Sequence, residues 1–374
     1  MKRALVLVLL AACHSSDPAV APAVPSASAT PPSPTPVETV APTPPPAPKA
    51  DALPAPKPTT IALARTGDAA LDATLADADK AFEAGDLDKA LAGYDAARKS
   101  APKRAAGSVG VARVKVTKAA PSLGFAAASS NADVTAAAKD LRRAAELEPA
   151  FGPAFIEEGR ALLLLGDAPK AEAALRKGVA LVPGEAEAHS ALGVALLATG
   201  KSEEALAELT KAKELDPGSA ARRGNLGTVL FMRGRVPDAI KEYETQVRLV
   251  PDDARAHSDL GTALLAQSDF THALPELRRA IELDPKRATF HSNLGYAFQL
   301  EGKVGDAITE YRAALKIDPK LASAWINLAT ALARDPKTRA EARQALKTAA
   351  AIDPTDPRVK ANLEELDALE KGKK

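Results

Sequence analysis

Pro149, Pro183, Pro217, Pro251, Pro285 and Pro319 stand thirty-four residues apart, and Pro354 follows with one residue extra. A fixed period of tens of residues confines the chain to a stack of repeated units, each burying its apolar face against the next. An alanine moves in the same step, as Ala171, Ala205, Ala239, Ala273 and Ala307. So does a small residue, as Gly159, Gly193, Gly227, Gly261, Gly295 and Ala329. The segment 288–321 shows what one unit is. His291, Leu294, Gly295 and Phe298 share one helix face, Gly302 interrupts, and Ala307, Tyr311 and Ala314 set out a second face that Pro319 closes. Two helices and a tight turn make an αα-hairpin.

Trp325, Leu328, Ala329, Leu332, Ala342, Leu346 and Pro354 resemble the tetratricopeptide repeat (TPR) signature, and Leu294, Gly295, Ala307, Tyr311 and Pro319 resemble it more closely. The resemblance implies an all-α fold, a right-handed α-solenoid of about eight TPR helical hairpins with a C-terminal capping helix. The expected array spans 69–356, with repeats near 71–104, 105–151, 152–185, 186–219, 220–253, 254–287, 288–321 and 322–356. The second is expanded: Pro102 and Pro149 lie forty-seven residues apart, and the extra length falls in a turn-rich loop around 120–132. Pro169 and Pro237 suit the first turn of their helices, whereas Pro275 lies deeper and predicts a late start or a kink. Past Pro357, the stripe Val359, Leu363, Leu366 and Leu369 predicts a helix over 357–374 that covers the last repeat.

The front of the chain reads differently. Lys2 and Arg3 precede an apolar run from Ala4 to Ala12, too short to span a bilayer but suited to a signal peptide over 1–12. Leu10, Ala11, Ala12 and Cys13 resemble the lipobox of bacterial lipoproteins, which implies lipidation at Cys13, a membrane anchor and a periplasm-facing position in the cell envelope. His14 follows where inner-membrane lipoproteins tend to have Asp, which favours the outer membrane. From residue 13 to 68 the chain holds fifteen of its thirty prolines, predicting a disordered linker that extends as polyproline II.

Composition narrows the function. Net charge is +1 and aromatic content 3%, so neither a basic field nor a stacking platform for nucleic acid is expected. Cys13 is the only cysteine, which rules out a disulfide within the repeats. No nucleophile elbow, Walker loop, metalloprotease helix or other convergent catalytic set occurs, so no enzyme, cofactor or metal site is expected. His189, His257 and His291 share one repeat position, but stacked helices are about 10 Å apart and zinc ligands sit within about 2.1 Å of the metal. Phe155 and Trp325 hold the same slot elsewhere, so packing or half-buried hydrogen bonding is the expected role.

A second ladder points to binding. Asn225, Asp259, Asn293 and Asn327 recur on the first helix of successive repeats, followed three residues later by Thr228, Thr262, Tyr296 and Thr330. The resemblance implies that first helices line a concave groove and that these positions match the family's groove residues. Amides carry both donor and acceptor and can pair with the backbone of an extended peptide. Earlier repeats carry Glu157, Arg160, Ala191 and Val194 there, so the amide ladder belongs to the C-terminal half. The expectation is a membrane-tethered scaffold or adaptor holding a protein or peptide. The alternatives are a pilotin-like lipoprotein that escorts an outer-membrane secretin and, more remotely, an accessory subunit of an envelope enzyme.

Overall fold

A computed structural model describes residues 60–119 and 131–372. Residues 1–12, Cys13, the linker up to residue 59 and most of the 120–132 insertion lie outside the described residues. Among the described residues every regular element is an α-helix. The chain divides into two compact units, Met1–Arg222 and Arg223–Lys374.

The N-terminal unit contains α1 (Ala69–Glu83), α2 (Leu87–Ser100), α3 (Ala106–Ala119), α4 (Ala132–Leu147), α5 (Gly152–Leu164), α6 (Ala168–Leu181), α7 (Ala186–Ala198) and α8 (Ser202–Leu215). The division falls inside α9 (Ala220–Met232). The C-terminal unit continues with α10 (Val236–Leu249), α11 (Ala254–Ala266), α12 (Phe270–Leu283), α13 (Ala288–Leu300), α14 (Val304–Ile317), α15 (Ala322–Ala333), α16 (Arg339–Ile352) and α17 (Pro357–Lys371). Within each unit consecutive helices pack as hairpins. The first helices also touch one another: α1, α3, α5 and α7 in one unit, α11, α13, α15 and α17 in the other.

Local chemistry explains the repetition. The residue before each periodic proline lies outside the helical region: Val182 at φ −136° and ψ 68°, Asp216 at −144° and 77°, Val250 at −138° and 72°, Asp318 at −131° and 96°. Proline's ring excludes the helical region for its predecessor, so every second helix stops one residue short of it. At the hairpin tip the chain turns through a left-handed residue, Gly85, Gly166, Gly200, Gly234 or Gly302, at φ between 72° and 86°. Two hairpins depart: α11–α12 places Ser268 there at φ 60°, and α15–α16 turns through 334–338 with no left-handed residue. The small-residue column is where the paired helices approach. A Cβ on Gly159, Gly193 or Gly227 meets Leu175, Leu209 or Tyr243 at 2.4, 2.5 and 2.6 Å.

Three expectations change. Of the two expectations for Pro275, the late start is overturned: helix α12 begins at Phe270 and runs through Pro275. Asp269 caps it by accepting from the His272 amide, and Ala273, Leu277 and Ala280 are wholly buried, so packing holds proline inside a full-length helix. In the capping helix α17, Val359 and Leu366 are buried but the Leu369 side chain remains 38% exposed, while its carbonyl accepts from Arg339 of α16 at 2.8 Å. Arg343 meets Asp367 and Glu370 there instead. Finally, the end of the linker is folded. Ile61 and Leu63 are buried at 1% and 0% exposure, and Asp72 accepts from the Thr66 amide and hydroxyl at 2.8 Å, so the ordered unit begins ahead of residue 69.

Candidate functional site

The histidine column makes one repeated clasp. Nδ1 of His189, His257 and His291 meets Glu208, Glu276 and Glu310 at 2.6, 2.5 and 2.8 Å. Nε2 of each faces the carbonyl of Pro183, Pro251 or Pro285 at 2.9, 2.9 and 3.4 Å. Trp325 fills the same slot and donates its indole N–H to the Pro319 carbonyl at 2.9 Å. The slot therefore fastens the first helix of a repeat to the proline that ended the previous one. Carbonyl and carboxylate oxygens only accept, so both ring nitrogens donate when the imidazole is charged. The Glu208 and Glu276 hydrogen bonds accordingly raise the pKa of His189 and His257, against the opposing effect of burial. Half-buried hydrogen bonding, expected for this column, is what the structure places there, and among the described residues no group of three His, Cys, Asp or Glu side chains could hold a metal.

The amide ladder lies on α9, α11, α13 and α15, and much of it is engaged internally. Thr228 donates to the Gly224 carbonyl and accepts from the Tyr243 hydroxyl at 3.2 Å. Thr262 donates to the Ser258 carbonyl at 2.8 Å. Asn293 reaches back one repeat to Ser258 Oγ at 3.0 Å and to Thr262 Oγ1 at 3.5 Å. Thr330 donates to the Ile326 carbonyl and accepts from Asn362 of α17 at 2.9 Å. Asn225 is buried, and Asp259 accepts from Arg255 at 3.4 Å. Two groups differ. The Tyr296 hydroxyl and the Asn327 amide are half-buried and make no hydrogen bond to a described residue. They sit on neighbouring first helices, α13 and α15, which pack on each other.

In the N-terminal unit the same face carries charge. Asp79 of α1 and Arg113 of α3 directly follow the small residues Ala78 and Ala112, as Thr228 directly follows Gly227. Arg113, 2% exposed, donates from Nε to Glu157 at 2.9 Å and approaches Asp79 at 3.4 Å. Arg160 bridges Glu157 and Glu187 at 3.5 Å each, and Arg222 joins Glu187 at 3.7 Å to Asp216 at 3.1 Å. The alternation matters because a buried charge is tolerated only beside its opposite. Burial pushes the Glu157 carboxyl up, but Arg113 and Arg160 hold it below the usual range. At Glu187 burial prevails, and its pKa is raised. Glu157 and Arg160 stood out in sequence only as departures from the amide pattern. Asp79, Arg113, Glu187, Asp216 and Arg222 gave no such signal, because helical charge is ordinarily solvated and only stacking shows which charges face inward.

Two family models, both described as tetratricopeptide repeat, match this chain: one over 156–220, 225–288 and 258–322, the other over 298–366. No curated protein matches. Among solved structures, that of the APC/C hetero-tetramer Cut9–Hcn1 superposes with a TM-score of 0.59 at 18% identity, covering 79% of this chain and 55% of that one. YrrB, described as a TPR protein with an unusual peptide-binding site, gives 0.38 at 25% identity over 51% of this chain and 97% of its own. PilF of Pseudomonas aeruginosa gives 0.47 at 21% identity over 58% and 98%. With family matches across more than half of its 374 residues, and hairpins whose proline-closed ends and left-handed turns recur in step, the chain belongs to the tetratricopeptide repeat proteins.

Proposed function

We propose that this chain is a protein-interaction scaffold whose C-terminal unit holds an extended peptide segment of a partner along α13 and α15. The observation that carries this reading is the contrast within one ladder. Thr228, Thr262, Asn293 and Thr330 spend their polar groups on the fold, whereas the Tyr296 hydroxyl and the Asn327 amide keep theirs free of described partners. An amide offering both donor and acceptor, beside a phenol, suits a peptide's alternating N–H and C=O groups without demanding a particular sequence. Asn225, Thr228, Asp259, Thr262, Asn293 and Thr330 then act as the frame that sets the spacing between neighbouring first helices. In this reading the scaffold works without chemistry of its own, takes no cofactor and does not bind nucleic acid. It hangs from a lipidated Cys13 at the bacterial envelope, facing the periplasm with the outer membrane favoured, and the proline-rich linker sets its reach.

The test is selection of binders from a displayed library of extended peptides with the full chain, followed by affinity measurement on a variant carrying Tyr296→Phe and Asn327→Ala. At least a tenfold loss with unchanged helicity is expected, since each removed hydrogen bond is worth about 1 kcal/mol. Unchanged affinity would remove these residues from the site. For the anchor, radiolabelled palmitate is expected on the wild-type chain in a bacterial host and not on Cys13→Ala; label on both, or on neither, refutes it.

A further inference from the structure

Ahead of α1, residues 60–66 lie without regular secondary structure over the first-helix face of the N-terminal unit. Ile61 and Leu63 point inward and are fully buried with Ala62 exposed between them; the Arg65 amide then donates to the Leu63 carbonyl at 2.8 Å, a tight turn after which Arg65 is exposed and Thr66 buried. The contacts to this segment are mostly to its backbone. Asp79 Oδ2 accepts from the amides of Leu63 at 2.7 Å and Ala64 at 3.3 Å. Arg113 Nη2 donates to the Ile61 carbonyl at 2.6 Å, and the Arg104 guanidinium donates to that of Thr66. At the rim, Arg65 pairs with Glu185 at 2.8 Å, a residue 120 positions away.

The cradle is held in place without the segment. Asp79 Oδ1 accepts from the Tyr94 hydroxyl at 2.7 Å, and Arg113 is fixed by Glu157 and stacks over the Phe82 ring at 5.4 Å. A preorganised carboxylate and guanidinium, presented to whatever backbone lies against them, are the elements of a peptide site. Removing the occupant takes the backbone partners from Asp79 Oδ2 and Arg113 Nη2 while the two charges keep each other and Glu157, so the site favours being filled. The segment is joined to α1 through Gly67, at φ 80° with no atom within 4 Å of the position of a Cβ; its displacement as far as Thr66 breaks the bonds from the Thr66 and Gly67 amides to Asp72 at 2.8 and 3.1 Å.

We propose that this face is a second peptide-binding site, with residues 60–66 as its resident and displaceable occupant. Its foreign ligand is a short peptide segment carrying aliphatic residues at alternate positions and, after a tight turn, an arginine two residues after the second, the pattern Ile61, Leu63, Arg65. The strap is then autoinhibitory: a partner with this pattern must compete with it. The site stands apart from Tyr296 and Asn327 in residues and in unit, so failure of one leaves the other untouched.

The test uses the full chain and a fluorescent synthetic peptide with the sequence of residues 60–66. In a chain carrying Ile61→Asp and Leu63→Asp the strap is displaced, and the peptide is expected to bind at least tenfold more tightly than to wild type. Adding Asp79→Asn should abolish that gain, and a peptide with Asp at both aliphatic positions should not bind. Equal affinity for wild type and variant, with helicity retained, overturns the proposal. So does a wild-type dimer that dissociates in the variant, which would assign the face to a second copy of this chain. Amide hydrogen exchange on the wild-type chain gives an independent reading. Leu63 and Ala64 amides are expected to exchange at least tenfold faster than that of Leu75 in α1. Exchange only through unfolding of the whole unit would make the segment a fixed part of the fold and refute displacement.

Discussion

Replacing Ser268 by glycine should stabilise the repeat it belongs to, by an amount the turn geometry sets. Five hairpin tips place glycine at φ between 72° and 86°, and this one places Ser268 at 60°. A left-handed conformation costs an L-residue about 1–2 kcal/mol. Glycine removes that cost but returns about 0.5–1 kcal/mol through its greater freedom in the unfolded chain. The net gain lies between zero and about 1.5 kcal/mol, about 0.7 kcal/mol at mid-range. Nothing else is lost, because the Ser268 side chain is exposed and makes no hydrogen bond to a described residue. Gly302→Ser is the reciprocal change. No atom lies within 4 Å of a Cβ there, so steric contact plays no part and a similar loss is expected. Repeat arrays open locally, so the assay is hydrogen exchange of amides in α11 and α12, not a global melt. Slowing by about two- to fivefold is expected for Ser268→Gly, and comparable acceleration in α13 and α14 for Gly302→Ser. If Ser268→Gly speeds exchange, or Gly302→Ser slows it, the backbone account of these turns is wrong.

Burial, not geometry, should set the worth of the ion pairs. Arg113→Met strips Asp79 and Glu157 of a buried partner and is expected to cost the N-terminal unit about 3–5 kcal/mol by urea denaturation. Arg65→Ala breaks a 2.8 Å pair whose side chains are each 32% exposed and should cost less than about 1 kcal/mol; equal losses would refute the ranking. The histidine clasps predict a pH dependence. With pKa values raised in the fold by Glu208 and Glu276, His189 and His257 contribute stability that is complete below the unfolded value of about 6.5 and is lost as pH rises through the folded values. The denaturation midpoint of wild type should therefore fall from pH 6 towards 9, in a chain carrying His189→Gln and His257→Gln the fall should shrink, and identical profiles would exclude the clasps as its source.

Much of this architecture was legible in the order of residues, because it rests on interactions that act within a few positions. A proline forces its predecessor out of the helix, a glycine accepts a left-handed turn, and a small residue lets two helices of one hairpin meet. Each of these is a property of the local chain, so hairpin boundaries, the turns and the shared role of His189, His257, His291 and Trp325 follow from spacing. Pro275 shows the limit of local rules: Leu277 and Ala280, buried against neighbouring helices, keep it within a helix that propensity alone would shorten. The charged face and the strap were decided by tertiary structure. Asp79 meets backbone amides fifteen and sixteen residues away, Arg113 meets Glu157 forty-four away, and Arg65 meets Glu185 across 120 positions. No local pattern encodes such partners, since whether a helical charge faces water or another helix depends on what stacks beside it. The same holds for the amide ladder. Its recurrence is written in the sequence, but stacking alone distinguished Asn293, bonded to Ser258, from Asn327, whose amide has no hydrogen bond among the described residues.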